Sequence, residues 1–254
     1  MDQEYVYQYG FLERFAQYLL DPGRQTQKAG KTLAVLEDYF GGSAPLKDLD
    51  LLDIGCTAGL MTEIYSRKFR HVTGIDIDGD AIEYASHNLS SDNLHFFLRD
   101  AMDTGFPDES FDVVTCAHIY EHVPDSTRLM SEIYRVLKKG GICYFAAGNR
   151  FCFIEGHYWL PFLSAIPKPL AHLYLRVLRK GDFYYENHLG LWGLRKLVRK
   201  FEVVDYTKKI IEDPVKYSAT EMLASGSWKQ RAAKAVLSAA YFLCPTYIWI
   251  LVKK

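Results

Sequence analysis

The 254-residue sequence predicts a doubly wound α/β fold, a mostly parallel sheet with helices on both faces. Three observations carry this. Short, continuously apolar runs alternate with helical stretches through the first 150 residues. Strands that are apolar throughout are covered on both faces, as parallel strands are. After an irregular segment the same rhythm resumes near residue 191. With 49% hydrophobic and 24% charged residues the composition is ordinary for a globular chain and excludes general disorder. The length suits one elaborated domain.

Residues 11–20 (FLERFAQYLL) and 27–40 (QKAGKTLAVLEDYF) read as helices divided by Asp21-Pro22-Gly23. Strand-like runs follow at 49–55, 71–77, 94–100, 111–117 and 141–147, with helical stretches at 59–69, 80–89 and 131–139. After Gly148 the period is lost. Residues 150–188 hold Trp159, Pro161, Pro167, Pro169 and many aromatics, and read as an inserted cap. The rhythm returns at 191–201 and 202–211, a helical stretch covers 221–243, and TYIWILVKK (246–254) reads as a strand. The expected organisation is an α/β core with N-terminal helices over 1–149, a substrate lid over 150–188, and completion of the core over 189–254 with an inserted helix near 221–243.

Residues 235–252 carry no formal charge for 18 residues, long enough to be weighed as a membrane span. The Cys244-Pro245 break and the change there from Ala/Leu to Thr/Tyr/Ile/Trp favour a buried helix followed by a central strand. Five Cys without a CxxC pair point away from a disulfide framework or thiolate zinc and toward a reducing compartment. The opening MDQEYVYQYG is unlike a secretory signal, so the expected location is the cytoplasm.

The net charge of -1 hides an asymmetry: residues 1–150 carry 14 basic and 23 acidic residues, residues 151–254 carry 16 and 8. Either the halves face each other, or the back half meets anionic material. The basic residues are not gathered in one run, so no nucleic-acid partner is expected.

The strongest motif is LLDIGCTAGLMT (51–62), where a strand ends at Asp53, a glycine turn runs from Gly55 to Gly59 and a helix begins. In open α/β sheets ligands bind at this crevice. The G-x-G-x-x-G of dinucleotide sites and the P-loop motif are both absent. A carboxylate at Asp53 repels pyrophosphate and suits an ammonium group. Asp76, 23 residues later at the end of the second run, suits a ribose diol. Asp100, in Arg99-Asp100-Ala101, suits the exocyclic amine of adenine. An amino acid, a ribose and an adenine describe S-adenosylmethionine (SAM).

On these pieces, together with RDAMDTGFPDESFDVVTCAHIYEHVPD, EIYRVLKKGGICYFAAGN and HLGLWGLRKLVRKFEV (188–203), the chain resembles the class I SAM-dependent methyltransferases, in the branch of ubiquinone-biosynthesis-type enzymes. The resemblance implies a seven-stranded Rossmann-like sheet whose last strand runs antiparallel between the fifth and sixth. It implies that Asp53 binds the methionine ammonium, Gly55 and Gly59 line the methionine end, Asp76 takes the ribose and Ile77 packs on adenine. Asp100 and the Ala101 N–H would read the adenine edge, and Cys56 and Cys116 line the crevice as small apolar groups. One position departs: Thr57 stands where the family's D-x-G-x-G-x-G has its middle glycine.

A hydroxyl nucleophile needs a base, which histidine supplies near neutral pH. His118, after the fourth strand, and His188, where the cap returns to the core, are the two candidates. Glu121-His122 opens a turn read as a wall, and no ligand spacing calls for a metal. The cap is aromatic and apolar, then basic at Lys168, Arg176, Arg179 and Lys180. It fits a pocket for a hydrophobic, lipid-linked or glycan-bearing small-molecule acceptor, a peripheral contact with an anionic inner membrane surface, or a buried lid or dimer contact. The expected function is SAM-dependent methyl transfer to an oxygen of such an acceptor. The alternative is a non-catalytic SAM-fold module bound to a membrane or a partner, which the Thr57 departure favours.

Overall fold

In the computed structural model, which describes residues 10–254, helices α1 (Phe11–Leu19) and α2 (Pro22–Phe40) precede the sheet. The core then runs β1 (Asp50–Ile54), α3 (Leu60–Ser66), β2 (His71–Asp76), α4 (Gly79–Asn88), β3 (Leu94–Leu98), β4 (Phe111–Ala117), α5 (Ser126–Val136) and β5 (Leu137–Gly148). Beyond it lie a two-residue-stranded hairpin, β6 (Ile154–Glu155) and β7 (Leu160–Pro161), and helix α6 (Lys168–Val177). Helix α7 (Leu191–Leu197), β8 (Phe201–Asp205), α8 (Thr207–Glu212), α9 (Trp228–Ala240) and β9 (Thr246–Lys253) complete the chain.

The main sheet has seven strands in the order β3-β2-β1-β4-β5-β9-β8. The first five are parallel, and β9 is antiparallel to both neighbours, pairing Phe145 with Trp249 and Val204 with Ile250. The C-terminal apolar run is therefore a strand buried inside the sheet. Among the described residues no helix is long and apolar enough to cross a membrane.

Successive strand residues feed opposite faces, so adjacent apolar residues build two cores. Leu52, Val114, Phe145 and Trp249 join Leu129, Ile133 and Leu194 on one side. Leu51, Val113, Tyr144 and Ile250 join Leu33, Leu36 and Tyr65 on the other. Each such side chain contributes roughly 1.5–3 kcal/mol by leaving water.

Several boundaries differ from the sequence reading, each for a local reason. Asp21 does divide two helices, but the second starts at Pro22 and not at residue 27: the Asp21 carboxylate accepts from Arg24 N–H at 3.1 Å, and proline suits the first helical turn. Asp125 caps α5 in the same way, accepting from Thr127 and Arg128 N–H, so this helix begins at Ser126 and gives way to β5 directly after Val136. Residues 202–211 hold most of β8 and the start of α8, and Asp205, the last residue of the strand, accepts from Thr207 N–H at 2.8 Å where the helix begins. The long stretch 221–243 is helical only from Trp228, where Ser227 caps it. Helix α9 also lies at the surface, with Gln230 its one buried residue, where a buried helix was expected.

Candidate functional site

The crevice forms where β1, β2 and β4 end. Gly55 and Cys56 both donate to the Ile75 carbonyl, at 2.9 and 3.0 Å, which folds the loop after β1 back onto β2. Gly55 has φ +72°, and a Cβ there would stand 2.1 Å from Ile119 Cδ1. Gly59, at φ +76°, opens α3, and a Cβ there would meet Phe96 at 2.6 Å. Only glycine meets both demands. Thr57 lacks this freedom, yet it adopts φ +48°, the left-handed conformation that glycine would take. Its N–H donates to Asp76 Oδ2 at 2.8 Å. The departure is thus one of identity and not of backbone shape.

Asp53 is buried between two threonines: Thr62 Oγ1 donates to one carboxylate oxygen at 2.7 Å and Thr115 Oγ1 to the other at 2.5 Å. Burial pushes its carboxyl up to about 6, against the pull of these two bonds. Asp76 accepts from Thr57 N–H on one oxygen and from Asp78 N–H on the other, and burial raises it also. Ile77 is half-buried beside it. Asp78 accepts from Leu12 N–H at 2.9 Å, which docks α1 against this end of the crevice.

At the third strand end, Asp100 Oδ1 accepts from Met102 N–H at 2.8 Å, so this carboxylate shapes its own turn. Ala101 packs on the core. Cys56 is buried, and Cys116 is wholly enclosed in the core rather than facing an open crevice. Burial lifts both thiols well above their usual range, which agrees with small apolar groups.

A second cluster stands at the ends of β4 and β5. Tyr120 Oη donates to the Gly148 carbonyl at 2.5 Å and accepts from Leu189 N–H at 3.0 Å. Asn187 N–H donates to the Glu121 carbonyl at 2.7 Å. These bonds fasten the returning chain to the turn after β4 and bring His188 beside Glu121. A Cβ on Gly148 would lie 3.0 Å from His188 Nε2 and 3.3 Å from Glu121 Oε1. His188 Nδ1 pairs with Tyr184 Oη at 2.9 Å, and burial lowers its basicity. His118, at φ +60°, pairs through Nδ1 with Glu121 Oε1 at 3.3 Å, while its side chain is 51% exposed. Burial pulls Glu121 upward, but the His118 bond and three nearby histidines outweigh it and hold the carboxyl down at about 2.

The structure thus brings His118 and His188 to one carboxylate. It adds groups that the sequence did not single out: the buried Glu155 paired with His157, Tyr184, and Glu186. These come from within the aperiodic cap, where no spacing announces a shared site.

The chain matches a methyltransferase domain family over residues 52–145. It is 34% identical over 116 residues to a ubiquinone biosynthesis O-methyltransferase of Paracidovorax citrulli, covering 44% of this chain and 49% of that protein, about half its length. It is 30% identical over 169 residues to a ubiquinone biosynthesis O-methyltransferase of Xanthomonas oryzae pv. oryzae, covering 65% of this chain and 67% of that protein. A SAM-dependent methyltransferase of Thermotoga maritima, described as a possible histamine N-methyltransferase, shares the fold with a TM-score of 0.56 at 18% identity over 96% of each chain. A plantazolicin methyltransferase in complex with S-adenosylhomocysteine (SAH) gives 0.56 at 18% identity over 92% of this chain and 86% of that one. At such identities the structures speak to the fold alone. The sequence match over two thirds of the Xanthomonas protein carries the further step: this chain belongs to the class I SAM-dependent methyltransferases.

Proposed function

We propose that the chain transfers the methyl group of SAM to a hydroxyl oxygen of an apolar, lipid-linked or glycan-bearing acceptor held between the cap and the sheet, with His188 taking the hydroxyl proton. The crevice residues fit the methyl donor. Asp53 is a buried carboxylate that an ammonium would stabilise, and Asp76 is a carboxylate at the end of β2 with acceptor capacity left for a ribose hydroxyl. SAM supplies an electrophilic methyl on a good leaving group. The protein then has to align the acceptor, exclude water and receive one proton.

The observation that carries the base assignment is the placing of His188 against Gly148 and Glu121. With Nδ1–H donating to Tyr184 Oη, Nε2 holds the lone pair. The Glu121 carboxylate stabilises the imidazolium formed on proton uptake. His118 shares that carboxylate but stands half in solvent, which suits a positioning role better.

The acceptor class rests on the cap. Trp159 is 70% exposed, Val177 69% and Phe153 63%, beside Arg176, Arg179 and Lys180. Such a surface suits an apolar acceptor drawn from an anionic membrane face. The relatives named for O-methyl transfer in ubiquinone biosynthesis agree with a hydroxyl acceptor. The non-catalytic alternative leaned on Thr57, and that residue keeps the glycine conformation and the bond to Asp76. The test is transfer of labelled methyl from SAM to hydroxylated apolar compounds, read by mass spectrometry. His188→Ala should lower kcat by roughly 10²–10⁴-fold while SAH binding stays unchanged. Undiminished kcat in that variant would overturn the base assignment.

A further inference from the structure

One cluster lies outside the roles assigned so far. His122 from the turn after β4 and His157 and Glu186 from the cap bring one ligand atom each within 4.8 Å of one another. Glu186 is buried and the two histidines are largely so. We infer that these three residues form a binding site for a divalent transition cation of the Zn²⁺ kind, closed over by the cap.

The donor set decides the class of ion. Two imidazoles and one carboxylate are the ligands of catalytic zinc sites that keep a fourth position open, whereas Mg²⁺ and Ca²⁺ want oxygens. Bonds of about 2.0–2.1 Å set tetrahedral ligand atoms roughly 3.4 Å apart. Small side-chain rotations therefore close the observed spread. His157 is already oriented for the task. The fully buried Glu155 pairs with His157 Nδ1 at 2.6 Å and accepts the backbone N–H groups of His157 and Tyr158, both at 2.9 Å. With the ring proton held on Nδ1, Nε2 presents its lone pair, the usual arrangement of a carboxylate behind a metal-bound imidazole.

The location gives the ion work to do. His157 also lines a cavity of about 500 Å³, beside Phe15, Tyr158 and Phe183. His157 belongs to both the cluster and the cavity wall, so an ion held there would stand near the cavity, and a hydroxyl oxygen that reached its fourth position would lose its proton more readily. This role rests on the O-methyl reading; the binding of the ion does not.

The full chain, stripped with chelator, is titrated with Zn²⁺ by calorimetry and with Co²⁺ by visible absorption. One equivalent of Zn²⁺ and the intense bands of four-coordinate Co²⁺ are expected. Glu186→Gln should weaken Zn²⁺ binding at least 100-fold, and Glu155→Gln, which keeps all three ligands, by about 10–100-fold. His71→Ala, at an exposed histidine far from the site, should bind as the wild type does. SAH titration of each variant verifies that the core is folded and is independent of the metal. Absence of a stoichiometric Zn²⁺ site in SAH-binding wild type, or undiminished binding in both Glu variants, would overturn the proposal.

Discussion

The Thr57 N–H lies 2.8 Å from Oδ2 of Asp76, so the residue that departs from glycine is the one that ties the loop after β1 to the end of β2. This bond holds the loop after β1 at the end of β2, where the ribose is proposed to bind. It also fixes one carboxylate oxygen of Asp76 while Asp78 N–H, at 2.9 Å, fixes the other.

Asp76→Ala removes these bonds and the proposed acceptor for the ribose diol. Hydrogen bonds to a charged group contribute about 1.5–3 kcal/mol each. SAM and SAH affinity should fall by 100-fold or more, measured by calorimetry, while the far-ultraviolet circular dichroism stays native. Unchanged affinity in a folded variant would remove Asp76 from the cofactor site.

The loop should respond oppositely to two small substitutions. Left-handed backbone costs a residue with a Cβ about 1–2 kcal/mol, and glycine's extra chain entropy takes back about 0.5–1 kcal/mol. Thr57→Gly should therefore be neutral or stabilising by up to ~1 kcal/mol. Gly55→Ala places a Cβ 2.1 Å from Ile119 Cδ1 at φ +72°, and should destabilise by roughly 1–3 kcal/mol. Urea midpoints of the two variants decide it; a clear loss of stability in Thr57→Gly would mean that the methyl and hydroxyl of Thr57 contribute more than the strain costs.

Asp53 makes stability and binding depend on pH in opposite senses. Its folded pKa, about 6, is raised above the unfolded carboxyl, so the protonated form is favoured in the native state. The stability from that proton is fully present below about pH 4 and is lost as pH rises through 6. A shift of two units corresponds to ~3 kcal/mol. Relative to wild type, Asp53→Asn should gain stability between pH 4 and 7, seen as a growing difference in urea midpoints. In the proposed site the carboxylate holds the SAM ammonium, so wild-type affinity should drop below pH 6 and the variant should lose that pH dependence. A flat wild-type profile from pH 5 to 8 would show that the ammonium is held elsewhere.

How much could be read from the sequence follows from where its signals are local. The sheet was legible because β1, β4 and the second half of β5 carry mostly apolar, buried runs, and Asp53 and Asp76 because each sits at or near the end of a strand. The family resemblance supplied the place of β9. Element starts set by local carboxylate–backbone bonds, such as those of Asp125 and Asp205, were hidden within longer helical or apolar patterns. The cap cluster was invisible for a different reason. His122, His157 and Glu186 meet where Tyr120 and Asn187 bond the returning chain to the turn after β4, contacts that no period encodes.

The cap surface gives the last prediction. Helix α6 turns Ala171 and Leu175 inward, while Leu170, Leu173, Val177 and Leu178 form an exposed stripe at helical spacing. Arg176 and Arg179 flank the stripe, and Trp159 and Phe162 on the adjoining hairpin extend the apolar surface. An apolar side chain moved from water into the interfacial region contributes about 1.5–3 kcal/mol, and each nearby basic residue about 1 kcal/mol on an anionic leaflet. The intact chain should float with vesicles containing phosphatidylserine, and less with neutral vesicles or in high salt. The double substitution Leu173→Asp and Val177→Asp touches neither buried residue of α6, so SAH binding and melting should be retained while flotation falls at least 100-fold in partition coefficient. Equal flotation of the double variant and wild type would assign this stripe to something other than a membrane surface, such as a second copy of the chain.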